Sequence, residues 1–205
     1  FLRYAKKNKP FGKTISIGRQ DLDVSQSAIK SFFGSGLSYK QDKYIDNLLL
    51  DYFGASSIDS VDISDYEQAS IIHDMNLPLS DAMHCCYDTV IDGGSLEHIY
   101  NLPQALKNCS LLCRPGGQII HILPAINQCG HGFWQFSPEL FFSIYSQKNG
   151  YKETEIILIN LFDKKNWYLV NKQKKGDRLE LNSSEPLYLL VKSKKVNESN
   201  YEDIN

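Results

Sequence analysis

Short β-rich runs alternate with amphipathic stretches along most of this 205-residue chain, and that alternation restricts it to an α/β fold on a largely parallel sheet. Seven runs read as strands: TISIG (14–18), SIDSVDIS (57–64), ASIIHD (69–74), YDTVIDG (87–93), GQIIHILPA (117–125), KETEIILINL (152–161) and EPLYLLVKS (185–193). Three helices stand between them. In YIDNLLLDYFGA, Ile45, Leu48, Leu49, Tyr52 and Phe53 fall at helical spacing before a stop at Gly54. In NLPQALKNCSLLCRPGG, Asn101 can cap, Pro103 suits the first turn, Leu106, Cys109, Leu112 and Cys113 share a side, and Pro115-Gly116-Gly117 breaks the helix. SPELFFSIYSQKNG repeats the design, with Ser137 as cap and Gly150 at the end.

A hydrophobic content of 42% is enough for one well-developed core in a chain of this length, so residues 1–195 are expected to form a single domain followed by a polar tail, 196–205. Residues 26–42 read as an inserted short helix and loop that could act as a lid. Residues 162–184, with Lys164, Lys165, Lys172, Lys174, Lys175 and Arg178, read as a basic inserted hairpin, either a solvated loop or a face for an acidic ligand. The 22 basic and 24 acidic residues nearly cancel, so no global field favours nucleic acid or an anionic membrane. No apolar run approaches the roughly 20 residues of a membrane helix, and the basic start FLRYAKKNKPFGKT is not followed by a signal-peptide core; a cytoplasmic location is expected. The spacing of the five cysteines, Cys85, Cys86, Cys109, Cys113 and Cys129, matches no zinc template; reduced thiols and no metal are expected.

In a parallel sheet, ligands sit beyond the carboxyl ends of the strands. Three carboxylates fall there: Asp62 after the second strand, Asp74 after the third and Asp92 after the fourth. Each alone suits a turn or a cap. Together they describe a site for an adenosine-like ligand with a positive charge. The first loop carries one glycine, Gly18, followed by Arg19 and Gln20 where a dinucleotide fold keeps more glycines, and 44 positions separate Gly18 from Asp62. A nicotinamide cofactor is therefore disfavoured. A serine hydrolase is too, because DGGSLEH lacks the second glycine of a nucleophile elbow.

The run YDTVIDGGSLEHIYNLPQALKNCSLLCRPGGQIIHILPA resembles the central segment of class I S-adenosylmethionine-dependent methyltransferases, in its "LEH" after the fourth strand and its helix ending in "PGG". GHGFWQFSPELF also resembles a segment of bacterial methyltransferase-like proteins. The resemblance covers most of residues 13–160. It implies a Rossmann-like sheet of seven strands, the last antiparallel, with helices on both faces. It further implies S-adenosylmethionine over Gly18 and Arg19, its ribose on Asp62 with Ile63 alongside, its adenine at Asp74 and Met75, and its methionine end at Asp92, Gly93 and Gly94. Asp88 is expected to support the start of its strand.

Methyl transfer aligns a nucleophile with a sulfonium methyl, and an oxygen nucleophile usually also needs a base. His131, His98 and Glu97 are the candidates, with Glu97 and His98 equally readable as a structural pair. Phe133, Trp134 and Phe136 either wall the acceptor pocket or join the core. His73 and His121 read as packed strand residues, and His84 as a surface one. The expected activity is methyl transfer to an oxygen or nitrogen of a small-molecule or sugar-type acceptor. The alternative is a methyltransferase-like domain without catalysis that serves as a subunit or interaction module.

Overall fold

All seven expected strands form, and an eighth joins them. The computed structural model describes residues 1–6, 9–34, 42–163, 165–174 and 176–198. Its strands are β1 (Gly12–Ile17), β2 (Ala55–Asp62), β3 (Ile71–Ile72), β4 (Tyr87–Asp92), β5 (Cys113–Ile126), β6 (Tyr151–Asn160), β7 (Trp167–Val170) and β8 (Leu187–Lys195). They make one sheet in the order β3-β2-β1-β4-β5-β8-β6-β7. The first five are mutually parallel, and β8 runs antiparallel between β5 and β6. The extra strand β7 lies in the basic insertion and pairs antiparallel with the far edge of β6. The sequence hid it because WYLV is short and mostly exposed, so it carries no buried-strand pattern. Lys164, Lys175, the loop at 35–41 and the tail beyond 198 lie outside the described residues.

The central strands are apolar on both faces because both are covered. Val90 and Ile119 point into one core, Ile91 and Ile120 into the other. The first core is closed by α4 (Leu102–Leu112) through Ala105, Leu106 and Cys109, and by α5 (Pro138–Ile144) through Phe141 and Ile144. The second is closed by α1 (Leu2–Lys6), α2 (Gln26–Phe33) and α3 (Asp46–Asp51), which contribute Ala5, Ile29, Leu48 and Leu49. Each fully buried Ile or Leu contributes about 1.5–3 kcal/mol, which is why short helices suffice here.

Three helix ends differ from expectation. The chain leaves α4 at Leu112, before Pro115-Gly116-Gly117, which instead forms an irregularity in the β4–β5 register. The buried Lys195 ammonium holds that end, donating to the carbonyls of Ser110 (2.8 Å) and Cys113 (2.9 Å). At the other end Asn101 makes no side-chain cap; its amide turns to the Asn76 carbonyl. Ser137 does cap α5, accepting from the Leu140 amide. The helix stops at Ile144, and a separate 3₁₀ turn (Gln147–Asn149) leads to Gly150.

At the amino ends of β1 and β4, Asp88 accepts a hydrogen bond from the Lys13 amide (3.0 Å) and pairs with Lys9 and Arg114. Gly12 makes room for it, since a Cβ there would come within 2.5 Å of Asp88 Oδ2. Burial alone would raise the Asp88 pKa, but the Lys13 amide and the charges of Arg114 and Lys9 outweigh it and leave the group below the usual carboxylate value. A depressed folded-state pKa contributes stability above the unfolded value and loses it as pH falls through the folded one. Asp88→Asn should therefore cost on the order of 1–3 kcal/mol at pH 7. In denaturant titrations the gap from wild type should narrow as pH drops below the ordinary aspartate range.

Candidate functional site

The carboxyl ends of β1, β2 and β4 form one edge, and sequence neighbours there point in different directions. Gly18 ends β1 with φ +68°, its amide donating to the Val61 carbonyl at 2.8 Å. A Cβ at Gly18 would overlap Ser95 Oγ, which itself donates to the Ile17 carbonyl (2.7 Å). Asp62 ends β2 half-exposed; among the described residues its carboxylate accepts only from the Ser64 amide, at 3.1 Å, while its carbonyl accepts from the His73 amide at 2.8 Å, and Ile63 beside it is exposed. Asp74 follows β3, which pairs with β2 through Asp62 and Ile72. The amide and then the side chain of Asn76 hold its pKa below the ordinary value. Met75, next in the chain, turns away into the core, where Asn108 donates to its carbonyl (3.2 Å). The expected adenine contact at Met75 is thus reduced to its backbone.

Asp92 corrects expectation more sharply, because its carboxylate does not reach the edge at all. It is buried with four donors: the amides of Ser95 (2.9 Å), Leu96 (3.3 Å) and Gly94 (3.4 Å), and His121 Nδ1 at 2.9 Å. His121 is its register partner on β5, and its Nε2 meets the Tyr145 hydroxyl at 2.6 Å. The His121 and Tyr145 rings stack at 5.7 Å. Just past the end of β4 this leaves the backbone of Gly93 and Gly94 rather than a carboxylate.

The turn that Asp92 organises, Leu96–His98, carries the other candidates. Glu97 is fully buried, and among the described residues neither of its carboxylate oxygens has a hydrogen-bond partner beyond the pull of its own amide. His131, from the loop after β5, brings Nε2 to 3.3 Å from Glu97 Oε1, close enough to attract but without hydrogen-bond geometry. The His98 and His131 rings lie 5.4 Å apart, and all three residues offer donor atoms within 4.8 Å of one another. Burial first, and then the nearby Asp92 charge, push the Glu97 carboxyl up to about 7. The amides of Phe133 and Trp134 donate to the Glu97 carbonyl, at 2.7 and 3.3 Å, which anchors the His131 loop on this turn.

The first loop fills space with side chains where other loops keep glycine. Gln20 Nε2 donates to the carbonyls of Ile17 (2.9 Å) and Gly18 (3.2 Å), and its Oε1 lies against Gly93, where no Cβ could fit. Arg19 reaches the other way. Its guanidinium lies 3.8 Å from the centre of the Tyr44 ring, pairs with Asp46 (2.9 Å) and donates to the carbonyls of Glu67 and Gln68. Arg19 therefore ties β1 to the segment after β2. The sequence left Gln20 either to touch a ligand or to block it; that it lies against Gly93 could not be read there, because only the fold brings the two together.

Of the aromatics, Phe136 is core, Trp134 donates to the Ile99 carbonyl (2.9 Å), and Phe133 is exposed against Tyr100. A cavity of about 600 Å³ lies apart, between α5 and residues 170–181, lined by Phe142 and Leu158 and by Lys172, Lys174 and Arg178. None of the strand-end residues above lines it. His73 lies just past β3 and Nε2 meets the Leu77 carbonyl, while His84 is half-buried near Asp81. Cys109 and Cys113 are buried and free, with burial pushing the Cys113 thiol up to about 12.

The sequence matches no protein-family model and no curated protein. Solved structures do match. A SAM-dependent methyltransferase from Thermotoga maritima aligns with a TM-score of 0.51 at 14% identity, over 95% of this chain and 87% of that one. The N-methyltransferase NodS from Bradyrhizobium japonicum aligns with a TM-score of 0.50 at 12% identity, over 96% and 92%. Phosphoethanolamine N-methyltransferase 2 of Haemonchus contortus, solved with S-adenosylhomocysteine, aligns with a TM-score of 0.53 at 10% identity, over 96% and 52%. At these identities the likeness is one of fold alone.

The edge carboxylates should separate cleanly by stability. Asp92→Ala strands three amides and a histidine in the core, and should cost on the order of 3 kcal/mol or more in denaturant unfolding. Asp62→Ala loses one local turn contact and should stay within about 1 kcal/mol of wild type.

Proposed function

We propose that the chain is an S-adenosylmethionine-dependent methyltransferase acting on an oxygen or nitrogen of a small-molecule acceptor. The observation that carries the reading is Asp62, half-exposed and with its carboxylate bound, among the described residues, only within its own turn, at the end of β2 beside Gly18 in a sheet of this order. A carboxylate in that position suits the two hydroxyls of a ribose, with Asp74 one strand further for the base. Ser95 and Gln20 fill the space beside Gly18 and Gly93, so the strand-end backbone becomes accessible to a ligand once Gln20 moves.

S-adenosylmethionine, when bound, supplies an electrophilic methyl carbon on a sulfonium. The protein's part is to hold the acceptor in line with it in a partly dry pocket and to take up the acceptor's proton. With the cofactor bound, the acceptor atom would form its bond to the methyl carbon as the carbon–sulfur bond broke, that bond's electron pair staying on sulfur. The released proton goes to the cluster of Glu97, His98 and His131, with His131 as the base because it is exposed and its imidazole faces the Glu97 carboxylate. The buried Glu97 then stabilises the imidazolium. Gln20 is the obstacle: its amide covers the β1–β4 junction and must swing away for the methionine end to enter, exchanging two hydrogen bonds to carbonyls.

That obstacle favours the second reading, a methyltransferase-like module without cofactor. Calorimetry with S-adenosylhomocysteine separates the two. Binding is expected, with Asp62→Ala weakening it about tenfold or more and Gln20→Ala leaving it equal or tighter. No binding at millimolar concentration, with no rise in melting temperature, would leave only the module.

A further inference from the structure

We propose that Glu97, His98 and His131 form a binding site for one divalent transition-metal ion of the zinc type. Two histidines and one carboxylate are a donor set that suits such an ion and leaves a position open for a ligand. The geometry is close to what coordination needs. Donors about 2.1 Å from a tetrahedral ion stand about 3.4 Å apart, and Glu97 Oε1 and His131 Nε2 are 3.3 Å apart. His98 Nδ1 or Nε2 falls within the same 4.8 Å cluster, on an exposed side chain free to rotate inward.

A second observation points the same way. Glu97 has no exposed surface and, its own amide apart, its oxygens meet no hydrogen-bond donor among the described residues, whereas Asp92, equally buried five residues away, has four. A buried carboxylate without donors is strongly disfavoured unless a cation or a proton compensates it. A histidine held near it at an angle unsuited to hydrogen bonding fits two ligands converging on a common ion. The backbone supports this convergence, since the Phe133 amide binds the Glu97 carbonyl and fixes the His131 loop to the turn that carries the other two donors.

The metal site does not depend on methyl transfer; its use in that reaction does, and rests on the function proposed above. An ion with an open position on the solvent side, where His98 and His131 are exposed, would bind an acceptor oxygen and lower its pKa, work otherwise left to His131 as a base. The acceptor class is then an oxygen nucleophile such as a hydroxyl.

Titration of chelator-treated, desalted protein with zinc chloride tests the site, read by calorimetry and, with cobalt(II), by the visible spectrum of a nitrogen–oxygen ligand field. The expected result is one ion per chain with a Kd of about 1 μM or tighter, weakened at least about tenfold by His131→Ala and by His98→Ala. Both histidines are exposed, so these variants should fold. Serine substitution of Cys85, Cys86 and Cys129 together should leave the affinity unchanged. Affinity unaffected by the two histidine variants, or lost in the cysteine variant, would overturn the proposal. S-adenosylhomocysteine binding on the same samples keeps the readings apart: zinc without S-adenosylhomocysteine removes the methyltransferase and leaves the ion site, and the reverse removes the ion site alone.

Discussion

The buried carboxylate of Asp92 sets most of what lies around it. Its position follows from strand parity: Val90 points into the core closed by α4 and α5, so Asp92, two residues on, points there too. A carboxylate in that core needs donors, and the chain supplies them by folding back into the Leu96–His98 turn, whose first amides converge on Oδ1. Oδ2 takes His121, and through it Tyr145 at the end of α5. One side chain thus joins β4, β5, α5 and the turn bearing the candidate acceptor residues.

The fold was largely legible and the site only partly so, for a physical reason. Periodicity reports burial, so the long strands with a buried face were readable and β7, with little buried surface, was not; the equally unburied β3 was readable only from its paired β-branched residues, Ile71 and Ile72. Orientation at a strand end is a different matter. Asp62 and Asp92 both end strands, yet one lies open at the edge and the other is sealed inside. Parity could have warned of this, because Asp92 continues the inward row of Val90 and meets His121 directly across the β4–β5 pair. Met75 was misplaced similarly: Asn108, 33 positions away, draws its backbone against α4.

The first loop shows how a chain can do without extra glycines. A glycine-rich loop leaves a hollow, and here Gln20 and Arg19 build walls around a single glycine instead. Gly18 cannot be dispensed with, because Ser95 closes over it from the β4 side. Arg19 does structural work across β1, α3 and the segment after β2, which accounts for the long excursion between the first two strands: that excursion supplies Tyr44 and Asp46, against which the guanidinium packs.

Four carboxylates stand at or just beneath this edge, and their hydrogen bonding divides their labour. Asp62 and Asp74 face outward and are held by their own turns, so their positions are fixed without consuming their capacity to accept from a ligand. Asp92 and Glu97 face inward under the same degree of burial, but Asp92 is saturated with donors, whereas among the described residues Glu97 has only its own amide nearby. Desolvation acts on both alike, so the difference lies in what the fold has chosen to satisfy. A saturated buried charge holds structure together. An unsatisfied one beside two exposed histidines is expensive to keep for structure alone, and chemistry at the Glu97 turn gives a reason to keep it.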